Sequence, residues 1–256
     1  MSEEWTAILL AGARPGVDPF AQQHGTDLKP LIPVLGIPMV ARVATSLLAS
    51  SGIGEVRVLT QFPARIAEVL PEDPRIKLGA SDGTIAETMQ RILADPETQF
   101  PLLVTTADHA LLDPAMVADF LAKAEGADVA VGLVERKNLL ERLPQSKRTW
   151  LKFRGGAWSG ANLFALGSPE AAKAVELWRS VEQDRKKGIK MIAALGPTLL
   201  VGSILRLRSL QGTLDKVGKK LGLNIRAVAM DNPLAAVDVD KEDDHILVTA
   251  ILKGEQ

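Results

Sequence analysis

The chain has no cysteine, no tyrosine and only three histidines among its 256 residues. Without cysteine there is no disulfide, no thiolate nucleophile and no thiolate zinc site. So few histidines set a low expectation for imidazole-centred catalysis. Charge of one sign is also lacking: 30 Lys and Arg against 31 Asp and Glu leave a net charge of −1. That balance gives no global field to recruit nucleic acid, which is not expected as a partner. No apolar run reaches the ~20 residues that a membrane helix needs. The opening Ser2-Glu3-Glu4 is acidic where a secretory signal is basic. The expected location is the cytoplasm. There is no internal repeat and no low-complexity segment.

What is present is a patterned α/β chain, 46% hydrophobic and long enough to bury a full core. Strand-like runs at 5–10, 55–60, 101–105 and 127–134 alternate with helix-like segments at 38–51, 85–93 and 114–125. Asp113-Pro114 supplies a cap and a first-turn proline for the third of these helices. This rhythm predicts a Rossmann-like, mostly parallel sheet flanked by helices, with right-handed crossovers. From 168 to 221 the pattern turns helical, which reads as an insertion in a single domain spanning 1–256. Strand-like segments then return at 225–230 and 235–239, and a helix over 241–253 closes the chain.

Three stretches carry chemistry. In the first, the strand Ile8-Leu9-Leu10 runs into Ala11-Gly12-Ala13-Arg14-Pro15-Gly16, and Lys29-Pro30-Leu31-Ile32-Pro33-Val34-Leu35-Gly36-Ile37-Pro38 follows. Small residues let backbone N–H groups approach a polyanion, and Arg14 and Lys29 can balance its charge. Arg14 also reads simply as a solvated loop cation. In the second, the run Leu102-Leu103-Val104-Thr105-Thr106-Ala107 ends in Asp108, at the carboxyl end of a strand where such sheets bind ligands. Mg²⁺ takes one or two carboxylates plus waters and phosphates, which suits Asp108, although capping of the next turn would also explain it. In the third, alternation puts Asp238 and Asp240 on one side of an extended segment, so both can face one cation. Acidic residues just before a helix also serve its dipole. Asp243 and Asp244 read as helix-surface charges.

The first stretch resembles the N-terminal signature of the nucleoside-triphosphate transferases, which include sugar-phosphate nucleotidyltransferases and molybdenum cofactor guanylyltransferase. Ala13 stands where that signature has a second glycine, and Lys241 replaces the usual threonine of a C-terminal acidic motif. The resemblance implies the nucleotide-diphospho-sugar transferase type of fold. It implies a Mg²⁺-dependent enzyme that moves a nucleoside monophosphate from a triphosphate to a phosphorylated acceptor, releasing pyrophosphate. Asp108, Asp238 and Asp240 would hold the metal, with Asp238 the stronger choice of the last two. Lys29 would contact the nucleotide phosphates and Arg14 the leaving pyrophosphate; with Asp108 these form the catalytic set. Leu10, Ala11, Gly12, Ala13, Gly83 and Thr84 would join Lys29 and Asp108 in nucleotide binding, through backbone groups that leave the base unspecified. Ser159-Gly160-Ala161-Asn162 resembles a segment beneath the acceptor, with Arg148 and Lys152 as its candidate phosphate grips.

Two other readings remain open at this point. A glycosyltransferase using a nucleotide-sugar donor also holds its metal with Asp-x-Asp, but such a motif usually follows a central strand. A catalytically inactive nucleotide-binding relative is the third. His109 is not assigned as a general base, because an acceptor phosphate is already largely ionised at neutral pH. The apolar stretch 191–205, with basic residues on both sides, reads as buried helices or a homodimer interface. Alternatively, 186–208 makes peripheral membrane contact or meets a lipid-precursor acceptor.

Overall fold

A computed structural model describes residues 4–13, 16–81, 83–183 and 208–255. Arg14, Pro15 and Asp82 lie outside the described residues, as does nearly all of the 186–208 stretch. Strand β1 (Trp5–Leu10) sits centrally in an eight-stranded sheet whose order is β10 (Ile225–Ala229), β7 (Val129–Glu135), β9 (Gly156–Leu166), β6 (Leu102–Thr106), β1, β4 (Ile53–Thr60) and β5 (Ile76–Ala80), with β8 (Leu151–Phe153) paired to β9. Strands β2 (Pro33–Val34) and β3 (Ile37–Pro38) pair separately. Its partners are β4 (Ile53–Thr60) and β6 (Leu102–Thr106), both parallel to it. Beyond β4 lies β5 (Ile76–Ala80), and on the other flank β7 (Val129–Glu135) pairs in parallel with β10 (Ile225–Ala229). Strand β9 (Gly156–Leu166) runs antiparallel to both β6 and β7 and carries β8 (Leu151–Phe153). The sheet is therefore mostly parallel, α/β, as the alternation predicts.

The chain leaves β1 for β4 on one side and later returns to β6 on the other. The ends of β1 and β6 thus flank the topological switch point, where open α/β sheets form their ligand crevice. Strand alternation divides the core into two layers. Ala7 and Leu9 of β1 face a layer with Val40, Val43 and Leu47 of α2 (Met39–Leu48) and Val117 and Phe120 of α5 (Pro114–Ala124). Ile8 faces the other, with Met89 and Leu93 of α4 (Ile85–Ala94) and Val175 of α7 (Ala172–Gln183). Helix α8 (Leu210–Leu221) leans on that second layer through Leu214 and Val217.

One expectation fails. Residues 235–239 are not a strand: a 3-10 turn (Pro233–Ala236) is followed by an extended segment that joins no sheet. Ala235, Ala236, Val237 and Val239 are buried, so apolar patterning mimicked a strand in a segment packed across the sheet end. Helix α9 (Glu242–Leu252) then closes the fold, with Lys241 at its N-cap position.

Candidate functional site

Residues from four remote segments meet at the carboxyl ends of β1 and β6. Leu10 is level with Thr106, and the N–H of Ala107 donates to the Leu10 carbonyl at 3.0 Å. The turn after β6 puts Asp108 beside the C-terminal acidic segment, where the N–H of Val239 donates to the Asp108 carbonyl at 3.0 Å. Because Val237 and Val239 are buried, Asp238 and Asp240 alternate toward the opposite side. Lys29 opens a single 3-10 turn (Lys29–Leu31), anchored by buried Leu28, Pro30 and Ile32.

The Lys29 ammonium bridges two carboxylates, donating to Asp108 Oδ2 at 2.7 Å and Asp240 Oδ1 at 2.6 Å. The Thr106 hydroxyl donates to the other Asp108 oxygen at 2.5 Å. Asp238 is paired with Arg148 and accepts from Asn162 Nδ2 at 3.1 Å. Asn162 has φ 50°, a left-handed conformation that asparagine tolerates better than most residues. Its neighbours on β9 pair with β7 across a register shift between Val131 and Leu133, an irregularity that accompanies the redirected side chain.

Electrostatics bind these groups into one unit. Burial alone would lower the Lys29 pKa, but the charges and hydrogen bonds of Asp108 and Asp240 outweigh it and raise it above its usual value. Burial likewise opposes ionisation of Asp238, yet the Arg148 bond and charge, Asn162 and the Lys29 charge hold its carboxyl below the usual range. Arg148 is raised in return, against the effect of burial. Beneath them His109 is only 1% exposed, and neither ring nitrogen has a hydrogen-bond partner. Burial pushes its pKa down to about 4 despite the nearby charges of Asp108 and Asp238, so its ring is neutral at pH 7.

The loop after β1 is held by neighbours that the sequence did not single out. The Ala11 N–H donates to the Leu59 carbonyl at 2.9 Å, and the Ala13 N–H to Gln61 Oε1 at 2.9 Å. A Cβ on Gly12 would meet the Gln61 amide at 3.2 Å, so the strand-end turn is tight there. Gln61 follows β4, and no motif marks it. Gly83 has φ 92° and Thr84 caps α4, accepting from the Glu87 N–H at 3.2 Å while Glu87 Oε2 accepts from the Thr84 N–H at 2.9 Å.

Some expected positions shift. Arg14 lies outside the described residues. Lys152 stands exposed on β8 opposite Ala157 and makes no hydrogen bond with the acidic cluster among the described residues. Arg148 and Asn162 both contact Asp238. Asp238 and Asp240 each meet a different basic side chain, Arg148 and Lys29 respectively. Asp244 is no mere surface charge, since its carboxylate accepts from the Asp240 N–H at 3.2 Å. Burial raises its pKa, which fits a half-buried bracket for the acidic segment.

The sequence pattern defining the MobA-like NTP transferase domain matches residues 7–198. The chain belongs to this family. A search of curated protein sequences finds no match. Among solved structures, a hypothetical transferase from Thermus thermophilus shares 29% identity at a TM-score of 0.79, covering 94% of this chain and 99% of that one. The 4-diphosphocytidyl-2C-methyl-D-erythritol synthase of Anaerococcus prevotii aligns at a TM-score of 0.60 with 12% identity, over 98% and 96% of the two chains. A CMP:2-keto-3-deoxy-manno-octonic acid synthetase solved with CTP aligns at 0.56 with 15% identity, over 99% and 100%. At those identities the last two show a shared fold. This MobA-like chain is thus an enzyme of nucleotidyltransferase type, with a Rossmann-like sheet. Among the described residues no helix is long and apolar enough to cross a membrane.

Proposed function

We propose that this MobA-like protein is a magnesium-dependent nucleotidyltransferase acting on a nucleoside triphosphate and a phosphorylated acceptor. The observation that carries the reading is the meeting of Lys29, Asp108, Asp238 and Asp240 at the switch point of the sheet. An oxygen-only set built from Asp108 and Asp238, with Asp240 beside them, suits Mg²⁺ rather than a softer metal. The cation, when bound, neutralises charge on the triphosphate.

The protein's own groups account for the remaining steps. An oxygen of the acceptor phosphate bonds to the α-phosphorus, the bond to the β-phosphate oxygen breaks, and its electron pair leaves with pyrophosphate. Lys29 stays cationic throughout the neutral range and donates to phosphate oxygens, exchanging its carboxylate partners for the substrate. Arg14 is assigned to the departing pyrophosphate. The loop of Leu10, Ala11, Gly12 and Ala13, with Gly83 and Thr84 beyond β5, borders the nucleotide. Arg148 and Asn162 fix Asp238 and stand on the side where an acceptor phosphate enters, with Lys152 at the margin. No general base is required, because the attacking phosphate is already ionised, and His109 is sealed away from it.

The test supplies CTP, GTP, UTP or ATP with Mg²⁺ and a pool of phosphorylated sugars, polyols, pterins and lipid precursors. Pyrophosphate release that depends on both acceptor and Mg²⁺ supports the proposal. Nucleoside diphosphate released from nucleotide-sugars indicates a glycosyltransferase. Tight Mg²⁺-dependent nucleotide binding without turnover indicates a non-catalytic relative.

A further inference from the structure

A second group of metal-ligating side chains lies apart from the carboxylates of the catalytic cluster. His24 at the end of α1 (Pro19–Gln23) meets Glu242 and His245 on the first turn of α9. One ligand atom from each residue lies within 4.8 Å of the other two, and no other such trio occurs among the described residues. His24 Nε2 sits 2.8 Å from Glu242 Oε2, and the two imidazole centroids are 4.3 Å apart.

The surroundings prepare these groups for a cation. His245 Nε2 is 2.8 Å from the Pro33 carbonyl, which can only accept, so Nε2 is the donor in that bond. A backbone carbonyl fixing the tautomer and ring orientation is the support that metal-bound histidines commonly have. Phe20 packs edge-on against His24, at 5.0 Å between centroids, and gives the pair an apolar wall. Glu242 is half exposed, which leaves a solvent side for a further ligand. Adjacent ligands of tetrahedral Zn²⁺ stand about 3.3 Å apart for bonds of ~2.0–2.1 Å, so small side-chain movements would close the trio.

From this geometry we infer that His24, Glu242 and His245 bind one transition-metal cation of the zinc class, with water completing its coordination. Two imidazole nitrogens and one carboxylate favour Zn²⁺ or Co²⁺ over Mg²⁺, which prefers oxygen alone. The ion would clip two remote segments. His24 precedes Lys29 by five residues and Glu242 follows Asp240 by two, so the clip joins the two segments that carry the Lys29–Asp240 ion pair. Its role is structural, tying α1 to α9, and it is separate from the Mg²⁺ proposed for the reaction.

The test titrates chelator-treated full-length protein with Co²⁺ in excess Mg²⁺, reading visible absorption and thermal midpoint. One equivalent is expected to bind with tetrahedral-type bands and a raised midpoint. His24→Ala and His245→Ala should each abolish the bands and the midpoint rise. Glu242→Gln, at a half-exposed position that threatens folding least, should weaken binding about tenfold or more. Asp108→Asn should bind Co²⁺ as the parent does, which separates this site from the catalytic one. Absence of Co²⁺ uptake, uptake unaffected by Glu242→Gln and the histidine variants, or displacement by Mg²⁺ would overturn the assignment.

Discussion

The carbonyl of Asp108 accepts the N–H of Val239 at 3.0 Å, a backbone contact between residues far apart in sequence. It sets the turn after β6 against the C-terminal acidic segment independently of any side chain. The carboxylates are therefore brought together by main-chain geometry, and their charges can be changed one at a time with the fold retained.

Asp108→Asn follows directly. The amide keeps the carboxyl shape and the Val239 bond, but it removes the charge that Lys29 and the proposed Mg²⁺ share. Turnover should fall by about 10²–10³-fold or more, as when one preorganised charge is removed from a reacting site. The thermal midpoint should move by no more than about 5 °C. Pyrophosphate release and circular dichroism on the same preparation check both halves. Near-normal turnover would sink the metal role of Asp108.

Lys29→Met removes the cation that bridges Asp108 and Asp240 and leaves a side chain of similar reach. Two carboxylates then face each other without their ammonium, so Mg²⁺ binding in the absence of nucleotide should tighten. Nucleotide use should worsen, with kcat/KM lower by about 10²-fold or more. Calorimetric titration with Mg²⁺ and steady-state kinetics should therefore move in opposite directions. If Mg²⁺ affinity falls together with kcat/KM, the ammonium is not competing for those carboxylates.

Much of this arrangement was legible before the fold was known. The alternation of runs pointed to a parallel sheet, and Gly12 and Asp108 stand past the ends of adjacent strands β1 and β6. The antiparallel β9 is not legible in the sequence, because Gly156, Gly160 and Asn162 interrupt its apolar alternation. The 235–239 segment misled in the opposite direction: its valines alternate as in a strand but are buried at the sheet end without pairing. The pairing of Arg148 with Asp238 is not legible in the sequence, since an arginine in a connecting loop carries no periodic signal. His24 and Glu242 are 218 residues apart, and no local motif predicts that they meet.

Asn162 provides a test of how the backbone aims a side chain. Asn162→Gly and Asn162→Ala both lose the bond to Asp238, but only alanine must bear the left-handed φ of 50°. Alanine should therefore be the less stable of the two by about 1 kcal/mol. Urea unfolding with equal m-values measures the difference. Both variants should retain the fold and lose activity, because Asp238 keeps Arg148 but not its second partner. Equal stability of the two would mean that the left-handed turn is not imposed by the surrounding sheet.

His109 should make the protein sensitive to mild acid through the folding equilibrium. Its native pKa is about 4, whereas the unfolded chain titrates near 6.5. Burial is the main cause, and it prevails over the raising effect of Asp108, Asp238 and Asp113, with Arg148 acting in the same direction as burial. Between those two values the unfolded state binds a proton that the native state refuses, so stability is full above pH 6.5 and falls as pH drops toward 4. The loss reaches roughly 3 kcal/mol at the lower end. Asp238 adds its own loss only below the usual carboxylate range, since its pKa is depressed. The raised pKa of Asp244 works the other way, because there the native state takes up its proton first. His109→Leu deletes two unpartnered ring nitrogens and should leave stability at pH 7 unchanged or higher. Its urea midpoint should then drop less between pH 7 and pH 5 than that of the parent. Parallel pH profiles for the two proteins would place the acid-sensitive group elsewhere.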